Sequence, residues 1–99
     1  MPLKHSITFA VSSVKDLEEI RAWYADQQFP DVGERLLREV FYQIERLADF
    51  PKSGRIVPEF GAAHLREIIL PPFRIVYRLD KTRVRIVRVW RSERLLKLP

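Results

Sequence analysis

Ninety-nine residues set the size of one domain with a single modest core. Apolar residues make up 46% of the chain, which excludes a disordered polymer, and the lack of cysteine excludes disulfides and thiol chemistry. The net charge of +5 is carried mainly by arginine, whose planar fork suits phosphate or carboxylate, so the composition points to an anionic partner, either nucleic acid or an acidic protein segment.

Near the N-terminus, MPLKHSITFAVSS has no apolar run of the kind a signal peptide needs, and nowhere does the chain approach the ~20 apolar residues of a membrane span. A cytoplasmic protein with no membrane association is therefore expected, and the missing cysteine fits a reducing compartment. From His5 to Val11 the residues alternate, with Ile7, Phe9 and Val11 on one side, which predicts a half-buried strand. Ser13 then stands as a helix N-cap with Asp16 three residues on. Val14, Leu17, Ile20 and Tyr24 follow at spacings of three and four, predicting an amphipathic helix to about Gln28.

Phe29-Pro30 breaks that helix, since proline disfavours helical backbone in the residue before it. Asp31 starts a second helix, with Val32, Leu36, Val40, Ile44 and Leu47 as its apolar stripe and Asp49-Phe50-Pro51 as its end. So short a break predicts an antiparallel helical hairpin. Pro51 to His64, with two prolines and two glycines, reads as a long loop.

Leu65 to Arg91 carries three predicted strands, separated by Pro71-Pro72 and by Asp80-Lys81-Thr82, and holds more than half of the arginines. If Lys81-Thr82 is a two-residue hairpin loop, Arg78 faces Arg85 and Arg74 faces Val89. Phe73, Ile75, Tyr77 and Leu79 then share the core face with Val84, Ile86 and Trp90. The opposite face carries Arg74, Arg78, Arg85 and Arg91 with no matching acid. Arg88 falls on the core face in this register, where it must reach the rim or pair with an acid. An even-numbered loop at Pro71-Pro72 puts Arg66 on the face of Tyr77; an odd-numbered loop or a bulge puts it beside Arg74. Leu95, Leu96 and Leu98 of the tail either fold back on the sheet, extend the last strand or meet a partner.

His5 and His64 stand alone with no acid at ligand spacing, and the glycines form no phosphate loop, so neither a metal nor another cofactor is expected. What remains is the arginine face. Like charges set opposite one another, as at Arg78 and Arg85, are destabilising, and a protein that tolerates them has a use for them. Arginines around a phosphodiester would stabilise the added charge of an in-line attack by a ribose 2′-hydroxyl. That chemistry also needs a general acid and base, for which Tyr77, His64 and Glu67 are the residue types present.

The order of elements, with the residues Asp16-Leu17 to Tyr24, LADFPKSGR, Leu65-Arg66-Glu67, FRIVYR and VRIVRVW, resembles the RelE/ParE superfamily of type II toxin–antitoxin toxins over nearly the whole chain. The resemblance implies an α+β domain: a helical hairpin packed on a four-stranded, mostly antiparallel sheet in the order β-α-α-β-β-β. It implies a cytoplasmic toxin of the plasmid-stabilising kind, held by a cognate antitoxin in a heteromeric complex. Two targets are implied: DNA gyrase, which ParE-like members poison, or ribosome-bound mRNA, which RelE-like members cleave without metal; a non-toxic degenerate member that only binds an antitoxin is the remaining alternative. In a cleaving member Arg66, Arg74 and Arg91 would be the catalytic positions. In either case Arg74, Arg78, Arg85, Arg91 and Arg94 are the expected target-binding residues. Arg91-Ser92-Glu93-Arg94 replaces the histidine-then-arginine pattern of many members, and no tyrosine follows Trp90, so the wording leans to the gyrase-inhibiting, non-enzymatic side.

Overall fold

The computed structural model describes residues 4–91. Its strands are β1 (Ser6–Phe9), β2 (Arg55–Ile56), β3 (Leu65–Leu70), β4 (Phe73–Leu79) and β5 (Arg83–Arg91), and its helices α1 (Val11–Asp26) and α2 (Pro30–Arg46). The sheet has five strands in the order β1-β5-β4-β3-β2, not four, because Arg55–Ile56 pairs antiparallel with Glu67 and Arg66 inside the long loop. β1 lies beside β5 and parallel to it, and every other pairing is antiparallel.

Alternation in β4 and β5 builds the core. Phe73, Ile75 and Tyr77 are fully buried together with Val84, Ile86 and Val89, against Ile20 and Tyr24 of α1 and Leu37, Val40 and Ile44 of α2. Each such side chain contributes about 1.5–3 kcal/mol by leaving water. Of the stripe expected for α2, Val40, Ile44 and Leu47 are buried, while Val32 and Leu36 are half-buried against the core and Gly33 and Leu37 take the inward positions beside them. Pro30 begins α2 one residue earlier than Asp31, as suits a residue whose missing N–H is not needed in the first turn. The two helices approach closely at Gly33, where a Cβ would lie 2.7 Å from Tyr24 Cβ.

α1 differs from its expected form. It starts at Val11 with Ala10 as N-cap, and the Ser13 hydroxyl donates back to the Ala10 carbonyl at 2.8 Å instead of capping. Its buried positions are Ser13, Asp16, Ile20 and Tyr24, whereas Val14 is exposed. The reason lies in β5. Val76 stands opposite Arg88 while Tyr77 stands opposite Ile86, so Val87 is an extra residue, a β-bulge. Up to Ile86 the register is the expected one, Arg78 opposite Arg85. Beyond it every side chain changes face. Val89, not Trp90, enters the core; Trp90 sits opposite Arg74; Arg91 turns to the helix side; and Arg88 leaves the core face.

β1 pairs β5 only as far as Ile86, so the remaining edge of β5 needs other partners. The start of α1 supplies them. Ala10 N–H donates to the Ile86 carbonyl at 2.8 Å, and Ser12 Oγ donates to that of Val87 at 2.7 Å. Asp16 Oδ2 accepts from Val89 N–H at 2.9 Å. The Arg88 guanidinium reaches round to donate to both Asp16 oxygens at 2.7 and 3.0 Å, and stacks 4.4 Å from the Trp90 ring centroid.

The two hairpin turns are of two residues each. Leu70 pairs with Phe73 across a cis Pro71-Pro72, which places Arg66 opposite Tyr77. Asp80 Oδ1 accepts from the N–H groups of Thr82 and Arg83 at 3.0 and 2.7 Å, and so closes the Lys81-Thr82 turn with a side chain instead of primed-turn residues. Replacing Asp16 by alanine would orphan the Val89 N–H and strip Arg88 of its acid. Urea unfolding of Asp16→Ala is expected to show a loss of about 3 kcal/mol. Arg88→Ala, which leaves the Asp16–Val89 bond intact, is expected to lose less than half of that.

Candidate functional site

The sheet face turned away from the helices carries Glu67 and Ile69 of β3, Arg74, Val76 and Arg78 of β4, and Arg85, Arg88 and Trp90 of β5. It is not the bare arginine face that the alternation predicts. Arg74 is buried, only 8% exposed, and its charge is met twice. Its Nε donates to Glu67 Oε1 at 2.6 Å, and Nη2 also contacts that oxygen. Nη1 and Nη2 donate to the two oxygens of Glu59 at 3.0 and 3.1 Å. The second oxygen of Glu67 accepts from Arg55 Nε at 2.7 Å. Two acids and two bases thus form a chain, Glu59 to Arg74 to Glu67 to Arg55, that links the loop to β4, β3 and β2.

The electrostatics follow from these contacts. Hydrogen bonding from Arg74 holds the Glu59 carboxyl below the usual carboxylate range. The bond to Glu59, helped by Glu67, raises Arg74 against the opposing effect of its burial. Glu67 is 1% exposed, so its charge depends on these two guanidinium groups. Sequence spacing gives no hint of Glu59 or Arg55 as partners of Arg74, because the loop that carries them closes over the sheet only in three dimensions.

Of the other expected site residues, Arg78 and Arg85 stay on this face. They are directly opposed and exposed, and neither makes an ion pair among the described residues. Arg66 lies on the other parity and donates to the carbonyls of Gly54 at 3.0 Å and Ala63 at 3.1 Å, pinning the loop. Arg91 is on the helix side, where it donates to Tyr24 Oη at 3.3 Å and stacks 4.8 Å from the Trp23 ring centroid. The bulge is what carries Arg91 away from Arg74. Arg94 and the tail leucines lie outside the described residues. Arg66, Arg74 and Arg91, the positions of a cleaving member, are therefore not brought to one place.

The candidate acid and base types are also engaged elsewhere. The Tyr77 hydroxyl donates to the Pro51 carbonyl at 2.6 Å and accepts from Gly54 N–H at 3.1 Å. Gly54 is needed for this approach, since a Cβ there would lie 2.6 Å from Tyr77 Oη. His64 is exposed in the loop, and both carboxylates beside Arg74 are occupied by guanidinium groups. Among the described residues no group of three His, Asp or Glu side chains is placed to hold a metal. Arg78 and Arg85 are the exposed, directly opposed cations of this face.

A second surface lies on the helical side. Phe9, Val14, Leu17, Leu37 and Phe41 line an apolar groove rimmed by Glu18 and Arg21, with the Phe9 and Phe41 ring centroids 6.1 Å apart.

Burial raises the Tyr77 pKa above the ordinary tyrosine value. An unfolded tyrosine ionises near 10, so this contribution to stability is complete below ~pH 10 and lost as the pH rises further. Alkaline spectrophotometric titration should show Tyr77 ionising above the ordinary tyrosine value, together with loss of the fold. Tyr77→Phe should remove that ionisation and cost about 1–2 kcal/mol through its two lost hydrogen bonds.

The fold recurs in solved toxin–antitoxin complexes. The chromosomal ParDE system of P. aeruginosa aligns with a TM-score of 0.74 at 20% identity, covering 89% of this chain and 96% of that one. The RelBE2 complex of Mycobacterium tuberculosis aligns at 0.67 and 20% identity, covering 90% and 99%. The E. coli DinJ-YafQ complex aligns at 0.64 and 12% identity, covering 94% and 98%. At these identities the likeness is one of fold. No curated protein matches the sequence significantly. The family model for the ParE toxin of the type II toxin–antitoxin system parDE matches residues 7–96, nearly the whole chain, and this protein belongs to that family.

Proposed function

We propose that this chain is the growth-inhibiting toxin of a type II toxin–antitoxin pair, that it works in the cytoplasm, and that it acts by binding DNA gyrase, not by cleaving mRNA. One observation carries the choice. The arginines that cleavage would use lie on different sides of the sheet, and Arg74 is neutralised by Glu67 and Glu59. A metal-independent nuclease needs a cationic cluster and a proton-transfer pair converging on one phosphodiester. Membership of the ParE family supports the same reading.

A cognate antitoxin fits two surfaces of the chain. The apolar groove of Phe9, Val14, Leu17 and Phe41 suits the apolar side of a partner segment, and Arg78 and Arg85 suit its acids. No helix among the described residues is long and apolar enough to cross a membrane.

A short pulse of expression without antitoxin separates the targets. Early arrest of DNA synthesis with DNA breaks is expected. Early arrest of translation with cut mRNA would favour the nuclease, and undisturbed growth would sink both. The double variant Arg78→Ala/Arg85→Ala should fold as well as the parent, since it relieves a repulsive pair, and should lose toxicity in the same assay.

A further inference from the structure

The two acids on Arg74 are not equivalent. Glu67 belongs to the sheet, is fully buried, and cannot leave without breaking β3. Glu59 comes from a surface turn in which the Val57 carbonyl accepts from Phe60 and Gly61 N–H, and its side chain is 51% exposed. The outward edge of the Arg74 guanidinium is therefore a carboxylate-binding fork whose present occupant can swing into solvent. We propose that this fork is a binding subsite for a carboxylate side chain of an acidic partner protein, and that Glu59 fills it as an internal stand-in until the partner's acid displaces it.

The surroundings favour an extended acidic segment. Arg78 follows Arg74 by four residues on the same strand face, with Val76 between them, about 13 Å along β4. That is the spacing between acids four positions apart in an extended peptide. Arg85 stands opposite Arg78, and neither makes an ion pair among the described residues. A partner acid on Arg74 and a second on the Arg78–Arg85 pair would relieve a like-charge contact that the free chain leaves uncompensated. Nucleic acid is served less well. Trp90, the aromatic that the strands place on this face among the described residues, already carries the Arg88 guanidinium on its ring in place of a base. Hydrogen bonding from Arg74 holds the Glu59 carboxyl below the usual carboxylate range, so the stand-in competes for the fork as an anion.

The inference does not depend on the cellular target, because binding is measured on the purified chain. Fluorescence anisotropy with labelled hexaglutamate at low salt would compare the parent, Glu59→Gln and Glu45→Gln. Glu45 is an exposed acid on α2 and controls for the change in net charge. Glu59→Gln is expected to tighten hexaglutamate binding about threefold or more, the scale of removing one competing exposed ion pair. Glu45→Gln should change it little. In the parent, adding hexaglutamate should shift the Arg74 Nε–H resonance in an NMR titration.

An equal gain in both variants would overturn the subsite, as would an Arg74 resonance that stays fixed while those of Arg78 and Arg85 move. A gain in Glu59→Gln for a single-stranded oligonucleotide of matched charge, but not for hexaglutamate, would also overturn it and assign the fork to phosphate. Thermal unfolding of each variant shows that the comparison is made on folded protein.

Discussion

The extra residue at Val87 governs much of this structure. β1 runs out at Phe9, so β5 would continue past Ile86 with a bare edge. The bulge bends the strand where that support ends and turns its remaining groups toward the first two turns of α1. Ser12 and Asp16 then do with side chains what a longer β1 would have done with backbone. This explains why α1 buries Ser13 and Asp16 among its inward positions, and why its apolar stripe is weaker than that of α2. It also settles the fate of three large residues at once: Val89 fills the core, Trp90 joins the outer face under Arg88, and Arg91 packs against Trp23 and Tyr24.

The outer face rests on a second constraint, that a buried charge must be paired. Arg74 lies in the middle of the sheet, beneath the turn that carries Glu59, and an unpaired guanidinium there would cost several kcal/mol. Glu67 on the neighbouring strand meets it from within the sheet, and Glu59 closes the outward edge. The pairing spends Arg74 on structure in the free protein and leaves Arg78 and Arg85 as the exposed cationic pair. Tyr77 plays the matching part on the helix side. Its hydroxyl bridges Pro51 and Gly54, and with Arg66 it ties the start of the long loop to the sheet. A loop tied at its start to the helix-side face by Tyr77 and Arg66 can present Glu59 to Arg74 on the outer face in a defined geometry.

These two constraints bear on function in the same direction. The bulge separates Arg91 from Arg74, and charge pairing removes Arg74 from the pool of free cations. The chain is left with a basic strip on one face and an apolar groove on the other. Both lie on a fold shared with the toxin of the parDE family, to which the chain belongs.

Local chemistry determined what the sequence alone could say. Apolar period two in Ile7 to Phe9 and in Phe73 to Leu79, and period three to four through Val40, Ile44 and Leu47, specify strands and helices because each pattern puts its apolar residues on one side of only one kind of backbone. Pro30 and the Pro71-Pro72 pair mark breaks because proline restricts its own and its neighbour's dihedrals. The family likeness, the helical hairpin and the register from Tyr77 to Ile86 were legible in that way. The bulge was not, since nothing in VRIVRVW distinguishes a regular strand from one with an extra residue; only the missing edge of β1 and the reach of Asp16 decide it. Nor were the fifth strand and Glu59 legible, because β2 and the acid that meets Arg74 depend on a loop closing over the sheet. Contacts of that kind are distant in sequence and carry no period, so tertiary structure alone decided which arginines are paired and which are left exposed.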